Sequence, residues 1–378
     1  MNSLARFDDL TAGHALAFPP PRRVVSTDRA DEVPQVLAEV ERATAGGDWA
    51  YGYVAYDVAP GSPPPAWFGI TAPPVDVAPV TPPRPGAAGP TRWVPGWSAA
   101  EHARAVDAVR ERIAAGDTYQ CNLTDRLETD FTGDPFALYA QLATAQRGAY
   151  NAYLDLGRYV IASASPELFF EQTGNKIRTR PMKGTAERGH DAVHDREQAR
   201  RLRISAKEQA ENVMIVDLLR NDLARIAELG TVEVTDLFAL EPYPTVWQMT
   251  SEITARLRPG TGLADIFAAL FPCGSITGAP KASSMAIIRD IESGPRGVYC
   301  GAIGVVAPST AQFRARFSVA IRTAVVDRQT GRAVYGAGGG ITWGSDPVAE
   351  HAELLAKAAV LTIGEDRHVN THHDACRR

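Results

Sequence analysis

Tyr150-Asn151-Ala152-Tyr153-Leu154-Asp155-Leu156-Gly157-Arg158-Tyr159-Val160-Ile161-Ala162-Ser163-Ala164 reads as two strand-like runs joined across a glycine turn. A second pair follows at once: Leu168 to Gln172 and Lys176 to Arg180, joined across Thr173-Gly174-Asn175. Consecutive hairpins imply antiparallel sheet. Between them Ser165-Pro166-Glu167 puts a carboxylate at a sharp break. The second hairpin runs on into Arg178-Thr179-Arg180-Pro181-Met182-Lys183-Gly184-Thr185. Arg178 and Arg180 are two apart and share a face of a strand. Pro181 stiffens the chain and Gly184 relaxes it just after Lys183. A rigid corner carrying a cation suits a small anionic substrate, although this stretch alone reads as an ordinary polar hairpin end.

Working outward towards the N-terminus, Asp31 to Ala45 has helical spacing, and Trp49 to Tyr56 reads as a buried strand. Residues 59–95 are dense in proline and read as a surface connection, so residues 1–95 are expected to form an N-terminal subdomain ahead of a catalytic domain at 96–365. Ser98-Ala99-Ala100-Glu101 is a capping box that opens a helix. In Tyr119-Gln120-Cys121-Asn122-Leu123-Thr124 the residues alternate, and the neutral face of Gln120, Asn122 and Thr124 is expected to be solvent-exposed.

Towards the C-terminus, Ser205 to Leu229 is the longest helical signal, with Glu208 and Glu211 on one face near its start. Phe271 to Lys281 leads into another helix; Pro280 before Lys281 rules out a Walker A loop, but the helix start could still offer Lys281 to an anion. Arg322 interrupts an apolar run, which is costly unless the charge is paired or serves a ligand. Gly336-Ala337-Gly338-Gly339-Gly340 is followed by an extended run where a Rossmann loop needs a helix, so a dinucleotide fold is rejected. In the last helix Glu350, Glu353 and Lys357 share a face. Two helices thus each carry a Glu pair at spacing three. Were the four carboxylates to converge they would need a cation, and all-oxygen ligands favour Mg²⁺.

Composition narrows the function class. The 378 residues are 45% hydrophobic and 22% charged, as in a soluble globular protein. A net charge of -5 gives no case for nucleic acid or an anionic membrane surface. No apolar run approaches the roughly 20 residues of a membrane span, and the start shows no signal peptide, so a cytoplasmic location is expected. The four cysteines form no C-x-x-C pair and read as reduced thiols, which argues against zinc. Residues 366–378, with His372, His373 and Cys376, read as a polar, disordered tail.

Eight segments in order resemble the chorismate-utilising enzymes, which include anthranilate, aminodeoxychorismate, isochorismate and salicylate synthases. They are Gly116 to Thr124, Ser165 to Leu168, Arg180 to Thr185, Glu211 to Asp222, Gly274 to Lys281, Tyr299 to Ala302, Ala320 to Ala324 and Gly336 to Lys357. The resemblance implies a mixed α/β (α+β) fold of two packed, largely antiparallel sheets with helices outside. It implies Mg²⁺ held chiefly by Glu211 and Glu353, with Glu208 and Glu350 more distant or acting through water. Chorismate would meet Gln120, Thr277, Tyr299, Arg322, Lys357 and the N–H groups of a glycine loop at Gly338 and Gly339. Glu167 resembles the family's general acid, which needs a raised pKa. Thr185 and Lys183 fall in its Pro-Met-Lys-Gly-Thr segment.

Two positions bear on the reaction. Where isochorismate and salicylate synthases carry a lysine base, this chain has Gln120, which disfavours water activation. Lys183, where anthranilate synthases carry a small residue, resembles aminodeoxychorismate synthases. There the lysine attacks C2 as the 4-hydroxyl leaves, and ammonia then adds at C4. Such a lysine must spend time neutral, through neighbours such as Arg180 or through burial. Gln248 stands where many relatives carry histidine, and a glutamine cannot shuttle a proton. With no amidotransferase module visible, ammonia is expected from a separate glutaminase subunit, and the product is expected to keep its enolpyruvyl group.

Overall fold

In the computed structural model both hairpins form. Tyr150–Asp155 pairs with Tyr159–Ser165, and Leu168–Thr173 with Lys176–Arg180. They belong to different sheets, however, and Pro166-Glu167 is where the chain crosses from one to the other. The structure describes residues 5–90, 92–243 and 246–362; the expected tail at 366–378 lies outside them.

The first sheet has ten strands in the order Gly278–Ala279, Gln120–Asp130, Arg332–Ile341, Thr323–Asp327, Tyr159–Ser165, Tyr150–Asp155, Ala5–Asp9, His14–Phe18 and Val75–Val77, with Val94–Pro95 beside Gln120–Asp130. The second, also of ten, runs Met182–Glu187, Val246–Arg256, Lys176–Arg180, Leu168–Thr173, Ala315–Val319, Ala302–Val306, Trp49–Val54, Ala66–Thr71 and Arg23–Thr27, with Glu233–Pro242 beside Val246–Arg256. Every pairing between these strands is antiparallel.

Tyr51, Tyr53, Ile303 and Val305 of the second sheet pack against Ala5, Phe18, Leu154 and Ile161 of the first, so the sheets lie face to face. Helices cover the outer faces. Pro135–Gln146 packs Leu138 and Leu142 on Val160, Ala162 and Val326. Val33–Ala45, Ala206–Ala224 and Leu263–Leu270 cover the second sheet around Phe170 and Phe317. Each such large apolar side chain contributes about 1.5–3 kcal/mol when fully buried. Both faces of a covered strand are therefore buried, as Trp49–Val54 shows along nearly its whole length.

Four local expectations change. The proline-dense stretch is more than a connection: Ala66–Thr71 is a buried strand between Trp49–Val54 and Arg23–Thr27, with its prolines placed before and after it. The neutral face of Gln120, Asn122 and Thr124 is buried, not exposed: the Gln120 amide lies against Gly340, and the Thr124 hydroxyl donates to Glu292. Glycines 336–340 form part of the strand Arg332–Ile341 and are not a loop. The long helical signal resolves into Ala206–Ala224, with Ser205 at its N-cap accepting from the Glu208 N–H, preceded by a separate helix Ala192–Ile204. Among the described residues no helix is long and apolar enough to cross a membrane, and Cys121, Cys273 and Cys300 are free and buried.

Candidate active site

Lys183 sits on a β-bulge, not at a hairpin end. Met182 pairs with Thr250 and Thr185 with Gln248, so the Met182–Glu187 strand carries one more residue than its partner between these pairs. Gly184 takes φ +101°, a conformation that costs glycine little. The bulge is braced at three successive residues. Asn212 Nδ2 donates to the Lys183 carbonyl at 3.2 Å, Gln248 Nε2 to the Gly184 carbonyl at 2.8 Å, and the Thr185 hydroxyl to Gln248 Oε1 at 3.0 Å. The neighbouring arginines are engaged elsewhere: Arg178 with Glu171 and Glu252, Arg180 with Glu241. Among the described residues no carboxylate lies within 4.0 Å of the Lys183 ammonium, although Glu167, Glu211 and Glu353 all feel its charge.

One carboxylate helix, Ala206–Ala224, reaches this bulge, and the other, Pro347–Ala358, reaches the glycine strand beside it. A Cβ built at Gly184 would lie 3.2 Å from Glu208 Oε2; one at Gly339 would lie 3.3 Å from Glu350 Oε2, 3.6 Å from Lys357 Nζ and 3.9 Å from Glu353 Oε1. One at Gly340 would come within 2.3 Å of Gln120 Nε2 and 3.4 Å of Lys183 Nζ. The glycine strand therefore runs between the Pro347–Ala358 helix and the lysine bulge, where side chains would not fit.

Burial pushes Glu208, Glu211 and Glu350 above the ordinary carboxylate range, and their acidic neighbours add to this. Burial acts the same way on Glu353, but Lys357, 2.6 Å away, more than offsets it and holds the group below that range. Mutually repelling carboxylates in a partly buried site are a donor set suited to a hard divalent cation. They are not drawn together in this structure: among the described residues no three acidic, His or Cys side chains are close enough to hold a metal. Glu350 accepts from Ser345 at 2.6 Å, and Lys357 also donates to the Gly338 carbonyl at 2.7 Å.

Glu167, only 3% exposed, lies at the crossover between the sheets. Burial pushes its pKa up to about 7, against the opposing pull of the Ser275 hydroxyl, which donates to Oε1 at 2.6 Å, and of the Lys183 charge. A carboxyl protonated near neutral pH can give a proton to a leaving group. Ser275 belongs to the turn Gly274–Ile276. Just beyond it, Lys281 donates to Asp222 at 2.8 Å and to the Leu270 carbonyl at 2.9 Å, so its charge is taken and is not offered to an anion at the helix start.

Beyond the Ala324–Tyr335 pair, Arg332–Ile341 keeps a strand neighbour on one side only, because the chain leaves the sheet at Arg322, where φ is +53°. Arg322 donates to the Lys357 carbonyl at 3.0 Å and, among the described residues, has no carboxylate partner. Gln120 is fully buried, and among the described residues both polar atoms of its amide lack hydrogen-bond partners.

The structure thus brings Lys183, Gln120, Gly339, Gly340 and Lys357 to one place, with the four glutamates facing it from two helices but not gathered on one point, and Glu167 and Arg322 at its margins. Thr185 is exposed and turned to Gln248. The Thr277 hydroxyl is turned back to the Cys273 carbonyl at 3.0 Å, and the Tyr299 ring packs on Gly336. Asn212 and Ser275 were not singled out from the sequence; each acts on a residue distant in the chain, so no local spacing marks it.

A family model described as chorismate binding enzyme matches residues 70–362. The chain is 39% identical over 265 residues to aminodeoxychorismate synthase component 1 of Salmonella typhimurium, covering 70% of this chain and 57% of that protein. It is 41% identical over 277 residues to anthranilate synthase component 1 of Streptomyces coelicolor, covering 72% and 53%. It spans little more than half the length of these curated relatives. Among solved structures, anthranilate synthase component I from Streptococcus pneumoniae superposes with a TM-score of 0.79 at 25% identity, covering 92% of each chain. The menaquinone-specific isochorismate synthase of Escherichia coli shares the fold, with a TM-score of 0.76 at 17% identity, covering 96% of this chain and 90% of that one. On these matches, and on the site just described, the chain belongs to the chorismate binding enzyme family.

Proposed function

We propose that this chain is an aminodeoxychorismate synthase component I, converting chorismate and ammonia to 4-amino-4-deoxychorismate. The observation that carries this reading is Lys183: a lysine held on a braced bulge, without an ion-pair partner among the described residues, 3.4 Å from where a Gly340 Cβ would stand. Relatives named aminodeoxychorismate synthase support it. The Lys183 amine attacks C2 of chorismate while Glu167 protonates the departing 4-hydroxyl, which leaves as water. Ammonia then bonds to C4, the ring double bonds shift back, and the C2–nitrogen bond breaks to return Lys183. Arg322 and Lys357 hold carboxylate, and the free Gln120 amide meets a polar edge of the substrate without activating water.

Mg²⁺ fits the glutamate donor set, with Glu211 and Glu353 as the principal ligands and Glu208 and Glu350 behind them. Bound there, it neutralises the acidic cluster and gives the ring carboxylate a positive partner. Ammonia comes from a glutaminase subunit, in keeping with the "component 1" in the relatives' names.

A second reading is amination at C2, as in an anthranilate or 2-amino-2-deoxyisochorismate synthase; the similar identity to the Streptomyces coelicolor protein favours it. Incubation with chorismate, Mg²⁺ and ammonium, followed by product identification, separates the two. The expected product carries nitrogen at C4; nitrogen at C2 would overturn the leading assignment.

A further inference from the structure

A bulge takes backbone groups out of the sheet ladder, and those groups need donors from elsewhere. At Lys183–Thr185 the donors are side-chain amides. Gln248 uses both ends of one planar group: its N–H₂ goes to the Gly184 carbonyl at 2.8 Å, and its oxygen takes the Thr185 hydroxyl at 3.0 Å. Gln248 lies directly opposite Thr185 in the register, so the clamp closes on the residue following the bulge. On the other side Asn212, buried, grips the Lys183 carbonyl while its oxygen accepts from Ser251 at 2.6 Å. Gly184 has no side chain and a φ of +101°, so its conformation has little intrinsic restraint. This pair of amides therefore holds the backbone from which the Lys183 side chain extends.

We infer that Gln248 is a positioning residue for Lys183, clamping the bulge through Gly184 and Thr185 so that the ammonium points into the site. This inference rests on the reading of Lys183 as the group that attacks substrate. It gives the glutamine a role that needs no proton transfer, since its amide acts only as one donor and one acceptor. Glutamate at 248 would still accept from Thr185 but could not donate to the Gly184 carbonyl; methionine would do neither.

The test uses the full chain with Mg²⁺, saturating ammonium and chorismate, comparing Q248M, Q248E, T185V and K183A. Two quantities are read: kcat and KM for chorismate, and the acetylation rate of Lys183 by an N-hydroxysuccinimide ester, measured by peptide mass spectrometry against the exposed Lys176 in the same sample. Q248M and Q248E are expected to lower kcat about 10- to 100-fold through misplacement of the amine, with chorismate KM changed by less than about threefold. The Lys183-to-Lys176 labelling ratio is expected to shift about twofold or more in both. T185V, at an exposed position that folding tolerates, is expected to lower kcat about fivefold by loss of one hydrogen bond. If K183A is inactive while Q248M, Q248E and T185V keep wild-type kcat and labelling, the positioning role is wrong and the reading of Lys183 stands. If K183A keeps wild-type turnover, the reading itself falls and the inference with it.

Discussion

Two polar clusters lie a few residues apart along the strand Gln120–Asp130, one closed and one open. In the closed cluster the buried Arg296 donates to the Ile276 carbonyl at 2.7 Å, the Asn122 carbonyl at 2.8 Å and both oxygens of Glu292 at 2.7 and 2.9 Å. Glu292 in turn accepts from the backbone N–H and hydroxyl of Thr124, and the guanidinium lies over the Tyr56 ring. In the open cluster, among the described residues, the buried Gln120 amide has no hydrogen-bond partner, Lys183 has no ion pair, and Arg322 has no carboxylate. Burying polar groups is tolerable when they are paired, and costs roughly 1–3 kcal/mol for each group left alone. The closed cluster is thus part of the fold's own stability, while the open one holds capacity for a ligand.

The largest expected effect lies on the open side. Lys183→Ala should lower amination by roughly 10⁴-fold or more, as the loss of a nucleophile does, with an unchanged urea midpoint. A midpoint that fell in parallel would mean the lysine belongs to the fold after all. Next comes the closed side. Arg296→Met leaves Glu292 buried without its partner and should cost about 3–5 kcal/mol in urea denaturation. The fraction that stays folded should keep near-normal KM for chorismate; a selective loss of catalysis at full stability would erase the contrast.

A smaller effect carries the opposite sign. Gln120→Met replaces an unpartnered amide by an apolar group of similar shape. It should raise stability by up to about 1 kcal/mol while weakening chorismate binding, read by thermal melting and KM. The smallest concerns proton supply. Glu167 must be protonated to act, so turnover should decline as pH rises through about 7. The Ser275 hydroxyl holds the Glu167 pKa down, so Ser275→Ala should move that decline to higher pH. Because the native group binds its proton more tightly than the unfolded chain does, its contribution to stability is fully present below the ordinary glutamate range and is lost as pH rises through about 7. A pH profile unmoved by Ser275→Ala would remove Glu167 as the acid.

How much of this the sequence could tell follows from the range of each signal. Strand-like runs and the glycine turns between them marked both hairpins of 150–180, and the capping box at Ser98 forms as read, with Ser98 and Glu101 bonded reciprocally. That the hairpins join different sheets was not legible, because it depends on where the chain goes at Pro166, not on its local pattern. Alternation at Gln120–Thr124 showed that two faces differ, but not that both are covered. Lys281 carried a charge signal and no hint that Asp222, 59 positions earlier, would take it. Spacing put the glutamates in pairs on two helices and Lys183 at a corner, while their place in one site came from resemblance alone. Their braces Asn212 and Ser275 act across the fold and leave no trace in spacing.

The crossover at Ser165-Pro166-Glu167 has one more consequence. The reactive groups come from separate layers: Gln120 and the glycines from one sheet, Lys183 from the other, and Glu167 from the link between them. A slip of one residue, about 3.3 Å, would part Gln120 and the glycines from the amine. Turnover is therefore a gauge of inter-sheet alignment, and under rising urea it should disappear no later than the first loss of tertiary packing, with no active remnant surviving in either half.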